Sequence, residues 1–417
     1  MESRRVVITG LGMVTALGND VPTTWQNLVA GRSGAGPITH FDASQFKTQF
    51  ACEVKDLDTS AVMDPKEARK NDRYAQLAMV AADEAMRGAD VHIEHEDALR
   101  CGVIMGSGMG GVHALDANIG EFAVGDGTPR FSPFFIPMAI PNIAAGLLAI
   151  RYGFRGINFA TVSACASSSH AIATAFHYIR FGMADIMLTG GSEAAIEFAG
   201  IGGFNAVRAL STRNDDPEHA SRPFSASRDG FVLGEGAGCL VLEEYEHARA
   251  RGAHIYAEVV GAGMTSDAYH IVASDPEGRG AAQAMLLALQ EAGIRPDQVE
   301  YINTHGTSTP IGDIAEVKAI QQVFGDHTPQ INLTSSKSMT GHLLGGTGAV
   351  EAVISVLSIV NQIVTPTINH AAGDDDSAID SRLNFTFNDA QQRDIHYALS
   401  NNFGFGGHNA CLLFAKL

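Results

Sequence analysis

The chain has 417 residues, with 28 Lys and Arg against 46 Asp and Glu and a formal net charge of −18, a balance that excludes a broad basic face for nucleic acid and leaves positive charge only for local patches. Apolar residues make up 45%, charged residues 18% and glycine 45 positions, which excludes disorder and a small stapled scaffold and predicts two or three domains or one large fused pair. Five scattered cysteines, Cys52, Cys101, Cys165, Cys239 and Cys411, form no CxxC pair, so a reducing compartment is expected and a disulfide framework or zinc ribbon is not.

In chain order, Met1-Glu2-Ser3-Arg4-Arg5 runs directly into Val6-Val7-Ile8-Thr9-Gly10. That leaves no span for a signal or transit segment, and a cytoplasmic protein is expected. A strand over 5–9 and a helix near 22–30 begin an alternation that continues through apolar, β-branched runs at 102–105, 157–162, 186–189, 238–243, 257–263, 299–302 and 331–335. The pattern predicts layered α/β architecture with buried sheets. Ser163-Ala164-Cys165 opens a helix of small and apolar residues reaching about Gly182, and Thr340-Gly341-His342 opens a similar one reaching about Gln362. Each is apolar around most of its circumference, as a helix enclosed on all sides must be. Two duplicated α/β halves, 1–255 and 256–417, are therefore expected, with these two helix starts side by side. The stretch 349–364 is interrupted by Glu351, Ser355, Ser358 and Asn361 and reads as a buried helix, with no membrane partner.

Cys165 is the best nucleophile candidate, because free N–H groups and the macrodipole at a helix start favour a thiolate. His305 lies in a polar turn, Asn303 to Pro310, directly after a strand, where α/β folds keep their sites. His342 stands five residues after Lys337. A lysine in so apolar a neighbourhood needs a counter-charge, for which Asp313 and Glu316 are candidates. Such a set is open to hydrolysis, metal binding or acyl transfer; the spacing of HExxH or CxxC is absent, and His92 to His95 reads as a solvated loop, so no metal is expected. Thiolate attack on an acyl group, with two imidazoles to polarise a second carbonyl, remains. Gly106-Ser107-Gly108-Met109-Gly110-Gly111 matches GxGxxG, but it lies far from a first βαβ unit and lacks the acidic residue at a second strand. Tight backbone packing is the better reading. Gly234 to Gly238 reads as a turn into a core strand and Asp374 to Asp376 as a solvated acidic loop. Asn401 to Asn409 carries a Gly-rich turn able to present N–H groups to an oxyanion.

Ser-Ala-Cys165-Ala-Ser-Ser, Thr-His305-Gly-Thr-Ser-Thr, Ser-Lys337-Ser-Met-Thr-Gly-His342 and Asn-Phe-Gly-Phe405-Gly-Gly together resemble β-ketoacyl-acyl-carrier-protein synthases, condensing enzymes of the thiolase-fold superfamily. The resemblance covers essentially the whole chain. The N-terminal Val-Val-Ile-Thr-Gly-Leu-Gly, Ser-Pro-Phe-Phe at 132–135 and Ala-Leu-Ser-Thr-Arg-Asn at 209–214 look most like the elongating type II members. The Cys-His-His set matches elongating synthases, where initiating ones carry Cys-His-Asn. At 408 stands His, where many type II members carry Thr.

The resemblance implies a thiolase-like α-β-α-β-α layering and a decarboxylative condensation of malonyl-acyl-carrier protein with an acyl chain held on Cys165. It implies that the N–H groups of Cys165 and Phe405 hold the oxyanion, that His305 and His342 stabilise the enolate, and that Lys337 organises the site through Asp313 and Glu316. Glu351 would join a structural water or cation cluster. Thr307 and Thr309 would bind the pantetheine amides, Phe405 would gate the two steps, and Met109, Phe135 and Phe204 would wall the acyl pocket. Lys66, Arg69, Lys70, Arg130 and Arg208 match the docking positions for an acidic carrier protein. No cofactor is implied, and a homodimer is. The rival readings are a polyketide-type ketosynthase, a thiolase, against which stands the lack of cysteine in the C-terminal Gly-rich motif before Cys411, and a non-catalytic chain-length factor, against which stands the intact Cys165.

Overall fold

The protein is described by a computed structural model covering residues 4–417. Ten strands form one mixed sheet: β1 (Val6–Val14), β2 (Cys101–Gly106), β3 (Asn158–Thr161), β4 (Ile186–Glu193), β5 (Gly236–Glu244), β6 (Ala257–Ser266), β7 (Tyr301–Asn303), β8 (Asn332–Thr334), β9 (Tyr397–Gly404) and β10 (His408–Ala415). Their order is β8-β7-β9-β10-β6-β1-β5-β4-β2-β3. Read outward from the β1/β6 junction, each half repeats the other: β1-β5-β4-β2-β3 and β6-β10-β9-β7-β8, with the inner two pairings of each half antiparallel and the outer two parallel. The halves join where Val6–Ile8 pairs with Ala257–Val259.

The strands form because their residues are β-branched, small or apolar, and they carry few polar positions because both faces are covered. All nine residues of β1 and all eight of β4 are buried. Helices α1 (Val21–Val29), α2 (Arg73–Ala89), α3 (Ser167–Arg180), α4 (Arg279–Ala292), α5 (Pro310–Phe324) and α6 (Thr347–Asn361) supply the cover. The duplication reaches single contacts. A Cβ at Gly10 or Gly12 of β1 would stand 2.1 and 1.8 Å from the Ala85 and Ala81 carbonyls of α2; at Gly261 or Gly263 of β6 it would stand 2.2 and 1.8 Å from the Ala288 and Ala284 carbonyls of α4. Paired glycines on a strand thus let a helix lie against the sheet in both halves.

The small-residue helices form later than the sequence suggests. The expected start at 163 becomes Ser167, and the expected start at 340 becomes Thr347. The residues before them turn sharply instead, and Cys165 and His342 sit on those turns. α3 and α6 lie against one another in the main apolar core: the Ser168 hydroxyl accepts from Ala349 N at 2.9 Å, and a Cβ at Gly348 would stand 2.1 Å from Ser169 Oγ. The span Leu344–Asn361 is long and apolar enough to cross a membrane, yet 89% of it is buried inside the fold.

One loop reading changes, and the tight packing expected of Gly106 to Gly111 is found. Asp374 to Asp376 is not simply solvated: Asp374 accepts from the Ser227 hydroxyl at 2.6 Å and Asp376 pairs with Arg228 at 2.7 Å. The Gly106 to Gly111 loop is held by a carboxylate. Glu193, at the end of β4, accepts from Ser107 Oγ (3.0 Å), Gly108 N (2.7 Å), Met109 N (3.1 Å) and Gly345 N (3.0 Å). Its acceptor sites are thereby turned toward protein donors, and Gly106 packs so closely that a Cβ would lie 2.4 Å from the Ser168 backbone.

Candidate active site

Cys165 occupies the apex of the turn between β3 and α3. Ala164 is held at φ 51°, a left-handed conformation that costs a residue with a Cβ about 1–2 kcal/mol. The turn is braced by Ser167, whose Oγ accepts from Ser163 N at 2.9 Å and donates to the Ala164 carbonyl at 2.7 Å. The matching turn before α6 places Leu344 at φ 47°, three residues before the helix as Ala164 is.

His342 Nε2 lies 3.0 Å from Cys165 Sγ, and its Nδ1 lies 3.0 Å from Thr347 Oγ1. His305 faces His342 with ring centroids 5.4 Å apart at 84°, and its Nδ1 is buried without a hydrogen-bond partner. Burial, then the Lys337 charge, holds both imidazoles well below the usual histidine range; each ring also lies beside the other, and this further lowers His305. Both are neutral near pH 7. Burial pushes the Cys165 thiol up to about 12, opposed by the Lys337 charge and by the backbone N–H groups of Phe405 and Cys165. The resting group is therefore a thiol, not the thiolate expected from a helix start, since Cys165 precedes the helix and desolvation outweighs the favourable charges.

The counter-charge of Lys337 differs from the expectation. Lys337, 1% exposed, pairs with Glu351 at 2.6 Å, not with Asp313 or Glu316. Glu351 also accepts from Ser336 Oγ (3.2 Å) and Asn402 Nδ2 (2.7 Å), which satisfies a fully buried ion pair. Asp313 instead faces Arg228 at 3.3 Å and accepts from Phe224 N at 2.9 Å. Glu316 holds the His305 turn, accepting from His305 N at 2.8 Å and Gly306 N at 2.7 Å. Burial raises Asp313 to about 6 and Glu316 to about 7.

A cavity of about 320 Å³ joins Cys165, His305 and His342 to Phe204, Thr307, Thr309, Phe403, Phe405 and Arg208. Thr307 and Thr309 face one another at 3.0 Å between hydroxyls. Phe204 stacks edge-on against Phe231, centroids 5.4 Å apart, and lies 6.3 Å from Phe405. Phe405 rides on a turn that requires Gly406 and Gly407 at φ 88° and 76°. Met109 and Phe135 do not line this cavity. Met109 is 39% exposed on the loop held by Glu193, and Phe135 stacks on Phe131 in an apolar surface that continues to Phe122. Lys66, Arg69 and Lys70 are exposed around the short helix Pro65–Ala68, Lys70 lying over the Phe134 ring at 5.2 Å. Arg130 is exposed and paired with Asp126 at 2.9 Å. Of these five cations, Arg208 alone reaches the mouth of the cavity.

Thr347 and Glu193 escaped the sequence reading. A carboxylate closing the apolar run at 186–193 was the available signal for Glu193, since a buried acid must find donors. Nothing in the spacing marked Thr347.

Residues 3–248 match the family described as Beta-ketoacyl synthase, N-terminal domain, and residues 256–371 match Beta-ketoacyl synthase, C-terminal domain. The chain is 49% identical over 417 residues to 3-oxoacyl-[acyl-carrier-protein] synthase 2 of Coxiella burnetii, covering all of both chains. It is also 49% identical to the protein of that name from Synechocystis sp., covering 100% of this chain and 99% of the other. Among solved structures, a beta-ketoacyl synthase from Burkholderia phymatum superposes with a TM-score of 0.90 at 36% identity over 99% of this chain and all of the other. A type II PKS acyl-carrier protein in complex with its ketosynthase bound to the hexaketide gives 0.90 at 33% identity, all of both chains being covered. With both domain families matched in order and full-length relatives at this identity, the chain belongs to the β-ketoacyl synthase family.

Proposed function

We propose that this protein catalyses the decarboxylative condensation of malonyl-acyl-carrier protein with a fatty acyl chain carried on Cys165, giving β-ketoacyl-acyl-carrier protein and CO₂ in fatty acid elongation. The 3.0 Å contact between Cys165 Sγ and a neutral His342 carries the reading. The thiol proton passes to Nε2 as Cys165 attacks the acyl thioester, while the N–H groups of Cys165 and Phe405 stabilise the oxyanion. The carrier thiol leaves with that proton. Malonyl thioester then enters, and the neutral His305 and His342 donate to its carbonyl oxygen as CO₂ departs, His342 now carrying its ring proton on Nε2 while Nδ1 accepts from the Thr347 hydroxyl. The resulting enolate carbon attacks the acyl-enzyme, and Cys165 leaves as a thiolate that is reprotonated. Lys337 lowers the barrier to thiolate formation by its charge and is itself held by Glu351; Glu316 fixes the His305 turn.

Thr307 and Thr309, on the cavity wall, suit the amides of a pantetheine arm, and the exposed Lys66, Arg69, Lys70, Arg130 and Arg208 suit an acidic carrier protein. Phe204 walls the acyl chain, with Met109 and Phe135 farther along its path. A homodimer is supported by the exposed apolar side chains Ile119, Phe122, Phe131, Phe134 and Ile136, with Phe122 and Phe131 side by side, since exposed apolar clusters mark interaction surfaces. We assign the protein to the cytoplasm. The 49% identity to two proteins named 3-oxoacyl-[acyl-carrier-protein] synthase 2, against 33% to the polyketide ketosynthase, favours elongation over polyketide assembly. Intact-mass measurement after incubation with acyl-carrier thioester tests the reading: an acyl adduct on Cys165 that is discharged to β-ketoacyl product on adding malonyl-carrier protein is expected, and a protein that stays unmodified would contradict it.

A further inference from the structure

The nucleophile turn has a second support besides Ser167. Ser163, two residues before Cys165, places its Oγ 2.6 Å from His170 Nδ1, one turn into α3. Burial, the neighbouring His408 and the Asn409 backbone act on this ring, and burial dominates, pulling it down to about 4. It is neutral near pH 7, and in the tautomer that carries its proton on Nε2, the form the Asn409 backbone favours by raising the ring, Nδ1 accepts from the serine hydroxyl. The other side of His170 meets the far end of the gate turn: the His408 ring stands edge-on with centroids 6.4 Å apart at 88°. His408 in turn packs over Gly406, where a Cβ would lie 3.0 Å from its Nε2, and pairs with Gly404 across the hairpin. Gly404 closes the circuit, since a Cβ there would lie 2.7 Å from the Ser163 carbonyl and 3.1 Å from Cys165 N.

We propose that His170 is a positioning residue that locks the nucleophile turn to the gate hairpin, holding Ser163 with Nδ1 and abutting His408 with the rest of its ring. The setting of Cys165 and the closure of Phe405 then become one event, although His170 touches neither the substrate nor the sulfur. The role in condensation rests on the function proposed above; the lock itself does not. The test therefore includes a probe indifferent to that function, alkylation of Cys165 by iodoacetamide followed by intact mass.

His170→Phe keeps a ring and removes the acceptor, and His170→Asn returns an acceptor oxygen near the Nδ1 position. Loss of one buried hydrogen bond at a strained turn predicts that His170→Phe changes the alkylation rate by about tenfold or more, with acylation by acyl-carrier thioester falling in step. His170→Asn should restore both to within about threefold of the parent. Ser163→Ala, which removes the same bond from its other end, should match His170→Phe, and the double variant should be no worse than either single one. Unchanged alkylation in His170→Phe, failure of His170→Asn to rescue, or additive effects of the two singles would each overturn the lock. Should His170→Phe not fold, Ser163→Ala and His170→Asn, with their double variant, give the same comparison. Normal alkylation behaviour with no acylation of the parent would count against the proposed function and leave the lock standing.

Discussion

Removing the Lys337 ammonium should expose how much the site depends on one buried ion pair. Lys337 and Glu351 are each 1% exposed and meet at 2.6 Å. Burial raises the Glu351 carboxyl above its usual range, and the Lys337 charge is the chief influence opposing it. Lys337→Met keeps most of the stem volume but strands the carboxylate, which costs about 3–5 kcal/mol in comparable buried pairs. For 417 residues the unfolding entropy is about 0.9 kcal/mol/K, so this corresponds to a fall of about 3–6 °C in Tm. The variant relieves the penalty by taking up a proton, and the sign follows: a carboxyl raised further above its unfolded value gives stability at low pH that is lost as pH rises through the folded value. Lys337→Met should therefore lose stability as pH rises above about 4.3, the unfolded glutamate value, with a slope of up to about 1.4 kcal/mol per pH unit until the folded carboxyl ionises. Lys337→Met combined with Glu351→Gln leaves no stranded charge and should recover most of the loss while still acylating slowly, because Cys165 has lost the cation that opposes its burial. Denaturant unfolding across pH reads both variants beside the parent. A single-variant loss below about 1 kcal/mol, with no added pH slope, would refute the argument.

Met109→Phe should retain short acyl primers and reject long ones, since each methylene denied burial forfeits about 0.8 kcal/mol; an unchanged length profile would remove Met109 from the acyl path. Lys70→Glu with Arg208→Glu should weaken turnover of carrier-bound substrates and flatten its salt dependence while short pantetheine thioesters react as before; equal loss for both kinds of substrate would discard the docking surface. Glu243, with Glu96, holds His247 up to about 9, so its stabilisation is complete below about pH 6.5 and disappears as pH rises through 9; with the ring partly open to screening solvent this amounts to about 1–2 kcal/mol. His247→Gln should flatten the stability profile in that window, and an unaltered profile would contradict the assignment.

The layered fold was legible because its cause is local. Strands buried on both faces are largely apolar, and the runs at 5–9 and 186–189 announce themselves by composition, although the strands they open extend to Val14 and Glu193. The small-residue helices were equally plain, but their starts were misplaced by four residues in one half and seven in the other. Composition cannot distinguish the first turn of a helix from a tight turn braced by Ser167 or stepping through Leu344 at positive φ. That error carried into chemistry, since placing Cys165 at a helix start suggested a resting thiolate, whereas burial keeps the thiol. The partner of Lys337 was also missed. Asp313 and Glu316 are the expected counter-charges although Glu351 is nearer to Lys337 in sequence, and the pairing is set by how α6 packs beside the short helix Lys337–Thr340, not by any spacing rule. Glu193 was passed over although it closes an apolar run, because the donors that hold it come from two separate glycine loops.

The half-reactions test the central claim most directly. Cys165 is assigned the acyl chain, and His305 and His342 the enolate. Cys165→Gln should therefore abolish condensation and still release radiolabelled CO₂ from malonyl-carrier protein, whereas His305→Ala should form the acyl-enzyme and release little. Release of CO₂ at the parent rate by His305→Ala, or condensation surviving in Cys165→Gln, would contradict the account.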